Sequence, residues 1–135
     1  MNLSVTLLYL LLCLTSIKGL SESKFIAAKA EARAACLAST GVSEDLVMDI
    51  NRDGKFADDE NLKCYVKCVH EYLGLMAEDG TMDYEKLIVN IPEEFRIKYA
   101  SRIRACGTIY GSDVCDTAWL TIKCYGENIP KLPHP

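Results

Sequence analysis

The sequence lacks the excess of basic residues that a nucleic-acid-binding surface needs. Its 135 residues include 15 Lys and Arg against 19 Asp and Glu, which gives a formal net charge of -4. This acidic balance argues against a broad basic face, so no nucleic-acid partner is expected. The chain also lacks the polar composition of a disordered protein, because 50% of its residues are hydrophobic. The length allows one folded domain and little more.

Motifs of catalytic sites are missing as well. Histidine occurs only as His70 and His134, and the sequence contains neither G-x-S-x-G nor H-E-x-x-H. The C-C-x-x-H-x-x-C pattern is typical of a secreted phospholipase A2, and the segment Cys68-Val69-His70 does not supply it. We therefore expect a protein that is not an enzyme and holds no cofactor or metal. We interpret His70 as a solvated surface residue, with a pH-sensing role as the alternative.

An apolar run stands at the N-terminus. Val5–Leu14 reads VTLLYLLLCL, which is too short to span a bilayer, and Lys18 and the small Gly19 follow it. This pattern is typical of a secretory signal peptide. We expect cleavage after Gly19, within a few residues, which leaves residues 20–135 as a secreted, extracellular domain. No later segment is long and apolar enough to predict a membrane span.

Seven cysteines are an odd number for a secreted protein, but Cys13 leaves with the signal peptide. The other six allow fifteen disulfide connectivities. Cys64 and Cys68 are neighbours on one predicted helix, whose backbone rarely suits a direct bond between them, so twelve connectivities remain. Three disulfides in a secreted domain of this size have two interpretations. They give durability outside the cell, or they hold helices apart around an apolar cavity.

After the N-terminal run, the apolar residues follow the spacing of helices, and no segment shows the alternation of apolar and polar residues that is typical of strands. Start and stop signals predict six helices, so the predicted fold class is all-α. The tail Glu127–Pro135 holds three prolines and is predicted to be non-helical. The six helices are Ser23–Ser39, stopped near Gly41; Ser43 (N-cap) to about Asn51; Asp59–Leu73, capped by Asp58 or Asp59 and ended by Gly74; Asp83–Asn90; Pro92–Cys106; and Ser112 (N-cap) to about Tyr125-Gly126.

Helical spacing assigns a face to the longer helices. On the fifth, Phe95, Tyr99, Ile103 and Cys106 form one inward stripe. The sixth is apolar on nearly all sides, with Cys115 and Cys124 on opposite sides, which places it at the centre of the bundle. On the third helix, the apolar stripe is Leu62, Tyr65, Val69, Tyr72 and Leu73, and the far side holds Lys63, Lys67 and His70.

The six cysteines follow C-x27-C-x3-C-x37-C-x8-C-x8-C, and the third helix reads Lys63-Cys64-Tyr65-Val66-Lys67-Cys68 before Glu71-Tyr72-Leu73-Gly74-Leu75. This framework resembles the insect odorant-binding protein family over essentially the whole chain from the first helix to the tail. The resemblance implies a compact six-helix bundle with three interlocked disulfides around an internal apolar cavity. It also implies the pairs Cys36–Cys68, Cys64–Cys115 and Cys106–Cys124. The tail is too short for the C-terminal segment that some members insert into the pocket.

One motif favours a different function. Asp49–Glu60 matches the calcium loop D-x-[DN]-x-[DN]-G-x5-E of an EF-hand. The flanks do not fit, because of the three positions where apolar or aromatic helix residues are usual, Met48, Asp45 and Gly41, only the first is apolar, and no partner hand follows. The alternative is therefore a secreted calcium-binding interaction protein; an acidic turn followed by a helix N-cap is the simpler interpretation.

Our hypothesis from the sequence is a carrier for small hydrophobic molecules, in which tyrosine hydroxyls orient a polar group of the ligand. The resemblance implies odorants or pheromones as ligands and chemosensory receptors as partners, and we expect a monomer or weak homodimer. The residues from which we expect the pocket wall to be drawn are Tyr65, Val69, Tyr72, Leu73, Met76, Phe95, Tyr99, Trp119, Ile122 and Tyr125.

Overall fold

The computed structural model describes residues 2–129, apart from the side chains of residues 13–23. Within this part of the chain, regular structure consists of six helices and an isolated antiparallel bridge between Met76 and Met82. The all-α prediction is confirmed. The helices are α1 (Leu3–Thr40), α2 (Glu44–Asp53), α3 (Glu60–Tyr72), α4 (Tyr84–Asn90), α5 (Glu93–Cys106) and α6 (Val114–Asn128).

Most helix ends lie within a few residues of their predicted positions. Gly41 ends α1 with φ at 65°, a left-handed conformation that favours glycine. Asp59 caps α3 by accepting a hydrogen bond from Leu62 N, and Asp83 caps α4 in the same way through Lys86 N. The main difference is the start of α1 at Leu3, because the helix continues through the predicted signal peptide.

The limits predicted for α6 were wrong at both ends. The N-cap is Asp113, whose carboxylate accepts from Asp116 N at 2.8 Å, whereas Ser112 N and Oγ donate to the Asp116 carboxylate. At the other end α6 passes Gly126 and includes Glu127 and Asn128, which we had assigned to the tail. The following Ile129 is 1% exposed, and its burial explains the extra turn. Residues 130–135 of the predicted tail lie outside the described residues.

Three disulfides connect four of the helices. Cys36–Cys68 joins α1 to α3, Cys64–Cys115 joins α3 to α6, and Cys106–Cys124 joins α5 to α6. These are the pairs that the family resemblance implies. The helices α2 and α4 carry no cysteine.

The core forms where α3 packs against α6, the most extensive contact between two helices. Leu62, Ile103 and Tyr125 are at most 1% exposed. The inward stripe of α5 and the central position of α6 are as predicted, since Tyr99 and Ile103 of α5 are buried, as are six of the 15 residues of α6.

The polar face predicted for α3 was wrong. Lys63 and His70 are 8% and 4% exposed, whereas Tyr72, assigned to the apolar stripe, is 52% exposed. His70 is accommodated because its Nδ1 lies 2.7 Å from Val66 O. It is not the solvated residue that we expected.

Lys63 is buried together with partners for its charge. Its Nζ lies 2.8 Å from Asp58, 3.0 Å from Asp116 and 3.5 Å from Glu60, and 5.0 Å from the centre of the Trp119 ring. The hydrogen bonds that Lys63 donates to the carboxylates of Asp58 and Asp116 raise its pKa. The pKa of Asp116 is lowered mainly by the hydrogen bond that its carboxylate accepts from Ser112 N, and next by the hydrogen bond from Lys63. This arrangement links the start of α3 to the start of α6 electrostatically.

The lengths of the disulfide loops predict different contributions to stability. Cys64–Cys115 spans 51 residues and Cys106–Cys124 spans 18. A longer cross-linked loop removes more freedom from the unfolded chain. We expect Cys64→Ser/Cys115→Ser to lower the free energy of unfolding by about 4 kcal/mol, and Cys106→Ser/Cys124→Ser by about 3 kcal/mol. Urea titration measures both, and a larger loss for the shorter loop would contradict the prediction.

The lowered pKa of Asp116 predicts a pH-dependent effect of Asp116→Asn. A carboxylate with a lowered pKa stabilises the fold above its ordinary value of 3.8, and this contribution is lost as the pH falls through the folded-state pKa. We expect the variant to have a lower Tm than wild type at pH 7, with the difference shrinking below pH 3.8. Thermal scans across pH test this, with the exposed Glu78→Gln as control. A constant difference at all pH values would contradict the role of the charge.

Candidate functional site

A small cavity lies between α2, α3 and α6. Its volume is about 20 Å³, which is room for about one water molecule. Five of the lining side chains are aliphatic, and the exposed Asn51 marks the side nearest solvent. The lining residues are Val47, Ile50, Asn51, Tyr65, Val66, Val69, His70 and Ile122.

The spacing within α3 explains why this helix supplies half of the wall. Tyr65 and Val69 are four residues apart, as are Val66 and His70, so the two pairs lie side by side on one face of the helix. On α2, Val47 is three residues before Ile50 and faces the same space. These aliphatic side chains make the cavity suitable for an apolar group.

The polar groups of the wall differ in their surroundings. Nδ1 of His70 is bonded to Val66 O within α3. The hydroxyl of Tyr65 is buried, and no hydrogen-bond partner is within bonding distance of it among the described residues. Burial raises the pKa of Tyr65, and the positive charge and hydrogen-bonding contact of Arg33 on α1 oppose this effect. The Tyr65 hydroxyl therefore stays protonated at neutral pH.

The structure brings three of the ten predicted pocket residues to this cavity: Tyr65, Val69 and Ile122. Val66 and His70 were not predicted, because Val66 lay outside the expected apolar stripe of the third helix and His70 was placed on a solvated face. Val47, Ile50 and Asn51 were not predicted, because no face was assigned to the short α2. The signal was present, since Val47 and Ile50 have helical spacing after the Ser43 cap.

Three of the other predicted pocket residues do not line this cavity, and two of them have partners elsewhere. Trp119 Nε1 donates to Ala57 O at 3.1 Å, and its ring lies within 5.0 Å of the ammonium groups of Lys63 and Lys123. The hydroxyl of Tyr125 donates to Gly107 O. Tyr72 is exposed to solvent.

Four more predicted residues belong to other parts of the structure. Phe95 stacks on Tyr99 with ring centres 6.2 Å apart, and Leu73 packs against the core from a partly buried position. Met76 lines an open surface groove of about 550 Å³ that includes Met82 and Tyr84. This groove is shallow and mixed in polarity, so it is a weaker candidate for an apolar ligand.

The segment that matches a calcium loop does not adopt the form of one. Its first five residues, Asp49–Asp53, belong to α2. Both Asp49 and Asp53 pair with Arg52, and Asp59 caps α3. Among the described residues no group of three or more His, Cys, Asp or Glu side chains is arranged to hold a metal ion. The segment is a helix end followed by a helix start, and the calcium-binding alternative has no support.

The long α1 raises the question of a membrane span. In the part of the chain that the structure describes, no helix combines the length and the apolarity needed to cross a bilayer.

Comparison with known proteins identifies the family. The pattern of the PBP/GOBP family matches residues 20–128. General odorant-binding protein 69a of Drosophila melanogaster is 34% identical over 93 residues, which cover 69% of this chain and 63% of that protein. The crystal structure of a medfly odorant-binding protein is 33% identical and covers 76% of this chain and 88% of its own, with a TM-score of 0.64.

A third relative has been solved with a bound molecule. Odorant-binding protein 7 of Anopheles gambiae, in complex with an azo compound, is 27% identical and covers 76% of this chain and 83% of its own, with a TM-score of 0.64. With the fold, the disulfides and the match over residues 20–128, these similarities establish that the chain belongs to the PBP/GOBP family of insect odorant-binding proteins.

Proposed function

We propose that this protein is a carrier, not an enzyme, that binds one small hydrophobic molecule and transports it through extracellular fluid. The observation that carries the proposal is the aliphatic cavity between α2, α3 and α6, inside a shell held by three disulfides. Affinity comes from apolar surface of the ligand that is removed from water. The complex of the Anopheles gambiae relative with an azo compound supports a small organic ligand.

Binding requires the cavity to expand, because about 20 Å³ is too small for a molecule of several carbon atoms. The α3 and α6 walls are joined by Cys64–Cys115, whereas α2 has no disulfide. We therefore propose that ligand entry displaces α2 and the side chains of Val47 and Ile50. The cross-linked helices keep their positions.

We also propose that the carrier is secreted and that residues 1–19 are its signal peptide. The apolar side chains of Leu7, Leu8 and Leu10–Leu12 are 55–61% exposed, so they do not contribute to the core. Exposed leucines in such a row are unfavourable in water, which supports their removal. The family match begins at residue 20, directly after the proposed cleavage site.

The biological role follows from what the family name suggests. We propose odorants, pheromones or similar semiochemicals as cargo and delivery toward chemosensory receptors. We propose a monomer or weak homodimer as the carrying form. Fluorescence with an apolar probe tests the binding step directly, and analytical ultracentrifugation tests the oligomeric state.

Filling the cavity should abolish binding. Val69 is 1% exposed and lines the cavity, whereas Val89 at the end of α4 is 61% exposed. We expect Val69→Phe to weaken the binding of N-phenyl-1-naphthylamine at least about tenfold, because the added ring occupies the ligand's space at a cost in packing of about 1 to 3 kcal/mol. The same substitution at Val89 should leave binding unchanged. Circular dichroism checks that both variants fold, and equal binding by both would contradict this site.

The proposed processing predicts the chemical form of the secreted protein. Expressed in insect cells, the full chain should be recovered from the medium with Leu20 as its first residue, within a few positions. All six remaining cysteines should be in disulfides, so no thiol should react with a maleimide before reduction. Intact-mass spectrometry measures both properties. Retention of residues 1–19 in the medium, detected as a free Cys13 thiol, would contradict the proposal.

A further inference from the structure

The hydroxyl of Tyr65 stands out among the polar groups of the core. Tyr65 is 2% exposed, and no described group stands at full hydrogen-bonding distance from its shielded hydroxyl, although the side chain of Arg33 is near enough to act on it. Tyr125, also buried, uses its hydroxyl to donate to Gly107 O. A buried hydroxyl without a partner costs free energy, because the bonds that it made to water in the unfolded chain are not replaced.

The position of Tyr65 points to a ligand as the missing partner. Tyr65 lines the cavity, where the neighbouring Val47, Ile50 and Val69 have no polar side-chain atoms. The other polar group of α3 in the wall, His70, already has Val66 O at its Nδ1. A ligand oxygen placed in the cavity can therefore meet a hydrogen-bonding group at Tyr65 and aliphatic surface elsewhere.

The charges around Tyr65 favour an uncharged acceptor. Burial raises the pKa of Tyr65, which keeps the O–H available as a donor. Arg33, whose charge acts on Tyr65, lies 3.7 Å from Glu44, so positive and negative charge stand together at this end of the cavity. A carboxylate ligand would lose its hydration in an aliphatic cavity and would have to compete with Glu44 for Arg33.

Resting on the carrier function proposed above, we propose that Tyr65 selects ligands with a hydrogen-bond-accepting, uncharged oxygen, namely ketones, aldehydes or esters. The Tyr65 hydroxyl donates to the carbonyl oxygen, and the aliphatic wall holds the hydrocarbon part of the ligand. Tyr65 is then the residue that distinguishes a carbonyl compound from a hydrocarbon of the same shape.

The test compares two ligands of nearly equal shape in two variants. Displacement of N-phenyl-1-naphthylamine is measured with 2-nonanone and with 2-methyl-1-nonene, in which a CH₂ group replaces the carbonyl oxygen. Protein secreted by insect cells is used as wild type and as Tyr65→Phe. We expect Tyr65→Phe to weaken ketone binding about three- to tenfold while alkene binding is unchanged or stronger.

Tyr125→Phe is the matched control, since it removes a buried hydroxyl that already has a partner in Gly107 O. We expect it to lower the Tm and to leave the ratio of ketone to alkene affinity as in wild type. Tyr65→Phe should not lower the Tm of the unliganded protein, because the hydroxyl has no partner at full hydrogen-bonding distance there.

The possible failures are distinguishable. If wild type binds the probe but Tyr65→Phe leaves the ratio of ketone to alkene affinity unchanged, the role of Tyr65 is wrong and the carrier function stands. If nonanoate displaces the probe more strongly than 2-nonanone at pH 7, the preference for an uncharged oxygen is wrong. If wild type shows no saturable probe binding, the carrier function and the role of Tyr65 are both wrong.

Discussion

The Cys64–Cys115 disulfide joins the two helices on which the rest of the structure depends. It ties α3 to α6, while Cys68 ties α3 to α1 and Cys124 ties α6 to α5. Lys63 and Asp116 are the immediate chain neighbours of Cys64 and Cys115, so the covalent bond also brings their charges together, with Nζ and Oδ1 3.0 Å apart. Because the disulfide already fixes the two backbones, the ion pair forms at little further cost in conformational entropy. Burial of Lys63 against Trp119 follows from this local constraint.

The sequence was informative where structure depends on neighbouring residues. The helix ends near Gly41, Asp59 and Asp83 follow from local backbone chemistry, and most lie close to their predicted positions. The predicted face of α3 was wrong at Lys63 and His70, because helical spacing separates apolar from polar residues and says nothing about distant partners. Besides its neighbours Asp58 and Glu60, the buried Lys63 meets Asp116, which comes from a remote part of the chain. Such partners become visible once the helices are packed.

The same reasoning explains why only part of the candidate site could be predicted. Large aromatic residues were expected in the pocket, but their polar atoms found backbone partners, Ala57 O for Trp119 and Gly107 O for Tyr125. Those bonds hold the two side chains in other parts of the core. Tyr65 has no such bond and lines the cavity. Sequence alone identifies a tyrosine as a pocket candidate, whereas the hydrogen-bond partners of each hydroxyl decide which one is available to a ligand.

The disulfides also determine which wall of the cavity can move. An expansion that separated α3 from α6 would work against Cys64–Cys115 and the buried core around Leu62. Displacement of α2 breaks no covalent bond, and the Arg33–Glu44 pair, with side chains 34% and 68% exposed, adds only about 0 to 1 kcal/mol of resistance. The main cost is the exposure of Val47 and Ile50, and a bound apolar ligand restores contacts to both. In the proposed carrier, the cross-links therefore direct the opening of the cavity to α2, next to the Tyr65 hydroxyl and the charges that surround it.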